Sequence, residues 1–584
     1  MSGKRSGSKK SNRENGIRAN GSSSEVKASD RGFFSLAIFS VLASAIAASY
    51  INFPPGDSWT HVWTVNQWLN GKFILSDWAS AVAYPQQVLG WLIDSFSGKI
   101  SFSSLSILTA VVTVTGCLIA AQIPARLFPQ YPKLKNWAPL FFVVTLAPPF
   151  TLKIGAGFMT DGYYFLFMAA SIYLLLGAIN DWEKSPNVIW IRQWAGFGGF
   201  GILASLQRAH GLVMLFIVAV WLFGNAYKGS KRYWLAFGTT TTAFVLSAII
   251  LSLPEMHTAR SSEVTKEMGL FWTGHIMSFG ALIKDRLFLI FGILEHFGFA
   301  LLPIALLARL EKSRQEKIEG RKIVNWFYVL SGTAFLVSVL WLIDKGNGFP
   351  YLPNSLTKEG FGPRSDTIAL AQINVLPLWI TVVLTIIGTI GGIVLIWLIS
   401  RTVKKIKIDW LSSQTLIGLI GLAHLGLVLI NLNFFDRYLL PIIPFALCWL
   451  APILADAKPK ARSIGWIIAI PFLIWSLWGT CDYLSWTKAK WDIAAELRSS
   501  GIAPDRIIGG YEIDSYYNYK NENYPGMNFK AREDMPWWID KLGLPISPEY
   551  VVIEKGADIS GTPWENYEPT EFENGKFHVI KNPE

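Results

Sequence analysis

Residues 33–59 read FFSLAIFSVLASAIAASYINFPPGDSW, an uncharged apolar run from Phe33 to Phe53 that breaks at Pro54-Pro55-Gly56 and gives way to Asp57. A run of about 20 such residues spans the hydrocarbon core of a bilayer as a helix, the form in which an isolated segment satisfies its own backbone there. Residues 1–32 before it are rich in Ser, Gly, Asn, Lys and Arg, the composition of a disordered basic arm. Basic flanks stay cytoplasmic, so the first span runs outward and Asp57 emerges on the outer face. The run is too long for a signal peptide, and no small-residue cleavage motif closes it.

The same pattern repeats along the chain. Further apolar runs fall near 103–123, 137–153, 161–180, 194–207, 211–225, 232–254, 286–308, 324–343, 372–400, 412–431, 439–455 and 463–480, which predicts about 13 transmembrane helices. The basic loops at Arg126 to Lys135, Lys228 to Arg232, Arg309 to Lys322, Arg401 to Lys407 and Lys458 to Arg462 then share the side of the N-terminal arm. Two short runs meet at Gln207-Arg208-Ala209-His210. A hairpin there keeps the basic loops together, whereas one broken helix would turn every later loop outward.

Composition agrees. The 584 residues are 51% hydrophobic with 26 Trp and 37 Phe, and the mean hydropathy is +0.34, too apolar for a water-soluble protein of this length. The net charge of +11 does not mark a nucleic-acid binder. Residues 482–584 carry 11 Lys and Arg against 18 Asp and Glu, and the rest carries 41 against 23, so the excess belongs to loops on one side of the membrane. Cys117, Cys448 and Cys481 lie far apart and form no metal-ligand spacing.

Three outer loops are long: 54–100, 255–280 and 344–371. In the first, Trp59, Trp63 and Trp68 at helical spacing predict an amphipathic helix lying in the membrane interface. After the membrane part, residues 33–480, the tail 481–584 changes character. Helical periodicity over Trp491 to Arg498 stops at Gly501, and Arg506 to Tyr511, Tyr550 to Glu554 and Lys576 to Ile580 read as strands. The fold class is therefore a polytopic α-helical membrane protein with a small extracytoplasmic α/β domain at its C-terminus.

Asp57 and Asp161 are the carboxylates of interest. Each sits at the start of a helix, where an N-cap alone explains an acid. The topology puts both on the outer rim, however, and two carboxylates at one site can divide the work of a general base and a group that orients substrate or binds a metal. Arg208, His210, His257, Arg260 and Arg437 reach the same rim, as do Glu255, Lys345 and Arg364. Arg437 has the alternative of anchoring the interface, paired with Asp436. Cations beside acids at an interface suit an anionic, membrane-embedded ligand such as a lipid phosphate.

In their order and shared side, Asp57 after the first span, Met159-Thr160-Asp161 opening another, Arg208 at its hairpin and Asp436-Arg437-Tyr438-Leu439-Leu440-Pro441 late in the chain resemble the GT-C glycosyltransferases. The branch they resemble most holds the protein O-mannosyltransferases, the lipid A aminoarabinose transferase and the rhizobial galacturonosyltransferases. The resemblance implies a single inverting transfer of a sugar from a polyprenyl-phosphate donor to a glycan, glycolipid or protein acceptor on the outer face of the plasma (inner) membrane. By the same resemblance Asp57 is the general base, Asp161 a second active-site acid, and Arg208 and Arg437 the lipid-phosphate cations, with His210, His257 and Arg260 beside them. No cofactor is firmly implied; a divalent cation is compatible with the acidic pair. Ser58 stands where the protein O-mannosyltransferases carry a second acid, which argues against a protein acceptor. Trp537-Trp538-Ile539-Asp540 resembles the Trp-Trp-Asp-Tyr-Gly motif of oligosaccharyltransferases only superficially. The other class open to such a chain is a transporter or lipid flippase, which calls for ionisable residues at mid-span. Glu295-His296 is the clearest such pair.

Overall fold

The computed structural model describes residues 32–79, 83–180, 182, 186–226, 231–253, 256, 258, 266–267, 279–318, 329, 332–337, 339–340, 355–357, 359–371, 376–403, 409–431, 435–520 and 535–583. Among them, nine helices are long and apolar enough to cross a membrane, and a tenth span is a bent pair, Pro132–Leu146 and Pro149–Gly155, turned by 78°. The bend falls at Pro148-Pro149, where proline removes backbone donors and closes off the helical conformation. The helices Asn187–Gln207 and Gly211–Ala226 fall short on hydropathy or length, and most of the expected run 324–343 lies outside the described residues.

The hairpin reading of Gln207 to His210 holds. The chain is extended at Arg208 (φ −150°, ψ 132°), and a Cβ placed on Gly201 would meet Leu215 Cδ2 at 2.7 Å. Those positions would lie about 21 Å apart in a continuous helix, so the chain has folded back. A Cβ on Gly211 would stand 2.5 Å from the Ser205 backbone nitrogen, and glycine is what lets the two helices close so tightly.

The last membrane helix does not stop at 480. It runs as one helix from Pro459 to Ser499, 41 residues or about 62 Å, twice the thickness of a hydrocarbon core, and its second half becomes part of the tail domain. It ends before Gly501 at φ +86°. The tail sheet has the strand order Ile507–Ile508, Tyr550–Glu554, Phe577–Lys581, Glu568–Glu573, with the first pair parallel and the others antiparallel. Tyr511, expected to close a strand, instead opens the helix Tyr511–Asn518.

The loop 54–100 departs from expectation. Its helix Ser58–Leu69 is not an interfacial float, because Trp59, Trp63 and Trp68 are all buried. Trp59 and Trp63 meet Tyr519 edge-on with centroids 5.2 Å apart, and such pairs add to the burial of their own area. The second helix of the loop, Tyr84–Ser95, keeps Val88 and Leu92 exposed, next to Phe96.

The tail and the first loop are also locked by charge. Lys490 Nζ donates to Glu512 Oε2 at 2.6 Å with both side chains wholly buried, and also to the Thr367 carbonyl oxygen at 3.0 Å. The other oxygen, Glu512 Oε1, accepts from the Gly56 amide at 3.4 Å, one residue before Asp57. Removing one partner strands a buried charge, at about 3–5 kcal/mol. Lys490→Met is expected to lower the thermal unfolding midpoint of the purified protein sharply, and Lys490→Met with Glu512→Leu to regain much of the loss. An unchanged midpoint in the single variant would remove the pair from the account.

Candidate functional site

Asp57, Asp161, Arg208 and Arg437 come from four separate parts of the chain and meet at one place. Asp161 is in the first turn of the helix Thr160–Asn180. Its Oδ1 accepts from Arg208 Nη2 at 2.9 Å, and Arg208 Nη2 also donates to Thr160 Oγ1 at 2.7 Å. Arg437 is in the 3-10 turn Asp436–Ile442. Its Nε lies 3.7 Å from Asp161 Oδ2 and its Nη2 lies 3.8 Å from Asp57 Oδ2.

Exposure separates the two carboxylates. The Asp161 side chain is 4% exposed and the Asp57 side chain 50%. Asp161 is the buried counter-charge that holds both guanidiniums, and Asp57 is the carboxylate a substrate can reach. The N-cap explanation of Asp57 fails, since its side chain caps nothing in the helix that follows. Nor is Arg437 an interface anchor paired with Asp436. The Asp436 carboxylate accepts from the Ser355 amide and hydroxyl, each at 3.2 Å, while the Arg437 guanidinium turns to Asp57 and Asp161 and lies 4.8 Å from the Phe435 ring centre.

A residue of the tail completes the site. Tyr511 Oη donates to Asp57 Oδ1 at 2.8 Å and accepts from Trp78 Nε1 at 2.9 Å. Burial first, and then the charge of Asp57, push the phenol well above the usual tyrosine range, so it stays a proton donor. Nothing local in the sequence points to Tyr511, which stands 454 positions from its partner.

Beside Asp161 and Arg208 lies a small, partly open cleft that Tyr164, His210, His424 and Asn431 also line. Leu427, Val428, Pro441 and Ile442 give it an apolar wall. His424 Nδ1 lies 2.9 Å from the Ile420 carbonyl oxygen and donates to it, which leaves Nε2 to accept from the Tyr164 hydroxyl at 2.7 Å. Tyr164 was within reach of sequence reasoning, one helical turn after Asp161. A histidine at mid-span was the signal for His424. Glu295 and His296 are buried elsewhere, with Gly388 packed against Glu295, and line no part of this cavity.

His210 is not a cation. Burial and then Arg208 hold His210 down to about 4, so it offers a ring N–H, not a charge. His61, which sequence reasoning missed, accepts from Gln87 Nε2 on Nδ1 at 2.8 Å, and burial, opposed by Asp57, holds it down to about 4 as well. His257, Arg260, Glu255 and Lys345 lie outside the described residues. Arg364 pairs with Asp482 at 2.5 Å and lies beside Trp486. Among the described residues no group of three or more His, Cys, Asp and Glu could hold a metal ion, and the acidic pair does not fit a divalent cation, because Arg437 already stands between the two carboxylates.

No protein-family model matches the chain, and no curated protein matches it in sequence. Among solved structures the chain is similar to the crystal structure of ArnT from Cupriavidus metallidurans in the apo state, at 11% identity and a TM-score of 0.38, over 94% of this chain and 98% of that one.

Two outcomes follow from the geometry. Asp161→Asn leaves two largely buried guanidiniums without their shared counter-charge and is expected to cost about 3–5 kcal/mol. Asp57→Asn, at a half-exposed position, should stay within about 0.5 kcal/mol. Equal losses on thermal unfolding would contradict this division. For His61 the native value lies below the free value of about 6.5, so the unfolded chain binds more protons between the two. Stability should therefore fall as pH drops from about 6.5 towards 4, and His61→Gln should make that decline shallower in melting curves taken at each pH.

Proposed function

We propose that this chain is a membrane glycosyltransferase of the GT-C type, which takes a sugar from a polyprenyl-phosphate donor and passes it to an acceptor hydroxyl on the outer face of the membrane. One observation supports this most: a reachable carboxylate, Asp57, stands beside Arg437, and the buried acid Asp161 ties Arg437 to Arg208, which lines a cleft among the membrane helices.

In this reading the cavity takes the lipid-phosphate end of the donor, with its apolar wall against the first carbons of the lipid. Arg208 and Arg437 face the phosphate, whose charge grows as the bond to the sugar breaks, and cations already in place stabilise that charge. Asp57 takes the proton of the acceptor hydroxyl. The acceptor oxygen forms its bond to the anomeric carbon as the bond from that carbon to the phosphate oxygen breaks, and the electron pair leaves with the lipid phosphate. One displacement inverts the anomeric centre. His210, Tyr164 and Asn431 supply hydrogen bonds for sugar hydroxyls, with His424 holding the Tyr164 hydroxyl in place.

The Tyr511 hydroxyl orients Asp57 from the side away from Arg437. It is a positioning residue: Tyr511→Phe should lower kcat about tenfold with the KM for donor unchanged.

The test is transfer by the purified chain from a panel of polyprenyl-phosphate sugars. Asp57→Asn should lower kcat by about 100- to 10,000-fold with expression and melting intact, and Arg208→Ala by about 100- to 1,000-fold. Full transfer by Asp57→Asn would remove the base. Uptake of a solute into vesicles that ignores Asp57→Asn, with no transfer from any donor, would replace the reading with a transporter.

A further inference from the structure

Asp57 presents its two oxygens to different sides. Oδ2 faces Arg437, and Oδ1 faces Tyr511 of the tail. If the donor fills the cavity, an in-line displacement brings the acceptor from the opposite side, past Tyr511. An exposed indole stands there. The Trp537 side chain is 47% exposed, and its ring lies against Tyr511 with centroids 5.2 Å apart and planes tilted by 32°. One tyrosine thus separates it from the Asp57 carboxylate.

Three features distinguish this indole from an ordinary surface tryptophan. Its only hydrogen-bond donor, Nε1, is already committed to the Asp366 carbonyl oxygen at 3.1 Å, so the ring is fixed and what it offers a ligand is its face. Behind it Trp538 is buried, perpendicular to it at 5.9 Å, and donates from Nε1 to the Asp514 carboxylate at 2.9 Å, which makes the support rigid. Around it stand exposed acids: Asp366 itself, and Asp540 one helical turn along. A fixed aromatic face flanked by carboxylates meets both halves of a pyranose. The electron-rich ring attracts the polarised C–H bonds of one sugar face, and the carboxylates accept from the hydroxyls at its edge.

We infer that Trp537, with Tyr511 beside it and Asp366 and Asp540 at its edge, is the acceptor subsite and that it takes a sugar ring, so that the acceptor is a glycan or glycolipid and not a protein. This rests on the transferase reading for the word acceptor, but not for the binding of sugar.

The experiment is saturation-transfer NMR on the full chain in lipid nanodiscs, without donor, using the methyl pyranosides of glucose, galactose, mannose and N-acetylglucosamine as probes. At least one should receive saturation on the protons of a single ring face. That signal should fall at least fivefold in Trp537→Ala, persist in Trp537→Phe, and be unchanged in Trp410→Ala, an exposed indole far along the sequence. Melting curves of each variant check the fold. No saturation of any probe in the wild type, or an unchanged signal in Trp537→Ala, would overturn the subsite. Sugar contact that depends on Trp537 in a chain that transfers from no donor would keep the subsite and sink the transferase. Transfer whose half-saturation by acceptor ignores Trp537→Ala would do the reverse.

Discussion

The wholly buried ion pair of Lys490 and Glu512 sets where the tail sits, and through it the shape of the site. Two charges without water are tolerable only if every remaining lone pair and proton is used, and here they are shared out: Lys490 to Glu512 and Thr367, Glu512 to Lys490 and the Gly56 amide. Each of those partners belongs to a different part of the chain. The last membrane helix, the tail, the loop carrying Thr367 and the turn before Asp57 are therefore held to a common geometry, and the tail can deliver Tyr511 to Asp57 as a fixed hydrogen bond.

Asp161 does the same for the cations. A carboxylate that is 4% exposed accepts from Arg208 at 2.9 Å and lies 3.7 Å from Arg437, so one buried charge offsets two guanidiniums. The consequence for chemistry is that the positive face is preorganised, and its reorganisation on meeting an anion is small. Asp57 is the group left with freedom to act. Its two oxygens meet different parts of the chain, Oδ2 the Arg437 guanidinium and Oδ1 the Tyr511 hydroxyl of the tail.

Much of the site was legible in the sequence, for a reason specific to membranes. Apolar runs fix where each helix begins, and the side on which the basic loops lie fixes which ends share a rim, so Asp57, Asp161, Arg208 and Arg437 follow from topology without any knowledge of packing. What topology does not carry is contact across the chain. Tyr511, Lys490 and Glu512 pair with residues of the outer loops through tail folding, and each looks like an ordinary polar residue of a water-exposed domain. The three tryptophans of the first loop have the spacing of an interfacial helix, and only Tyr511 and Tyr519 packed over Trp59 and Trp63, with Phe73 and Tyr84 over Trp68, show why they are buried. The strand Glu568–Glu573 escaped because it is an edge strand with Pro569, Glu571 and Glu573 on an exposed face and only Thr570 and Phe572 half-buried on the other. His210 was legible as a rim residue but not in its charge, which depends on burial beside Arg208.

The central claim is that a lipid phosphate sits between Arg208 and Arg437 with its sugar turned towards Asp57. The most direct measurement is a cryo-electron microscopy structure of Asp57→Asn bound to a polyprenyl-phosphate sugar. The account predicts phosphate density within hydrogen-bond distance of both guanidiniums and lipid density entering the cavity beside Leu427 and Val428. Phosphate density away from both arginines, with the cavity beside His424 still open, would contradict it.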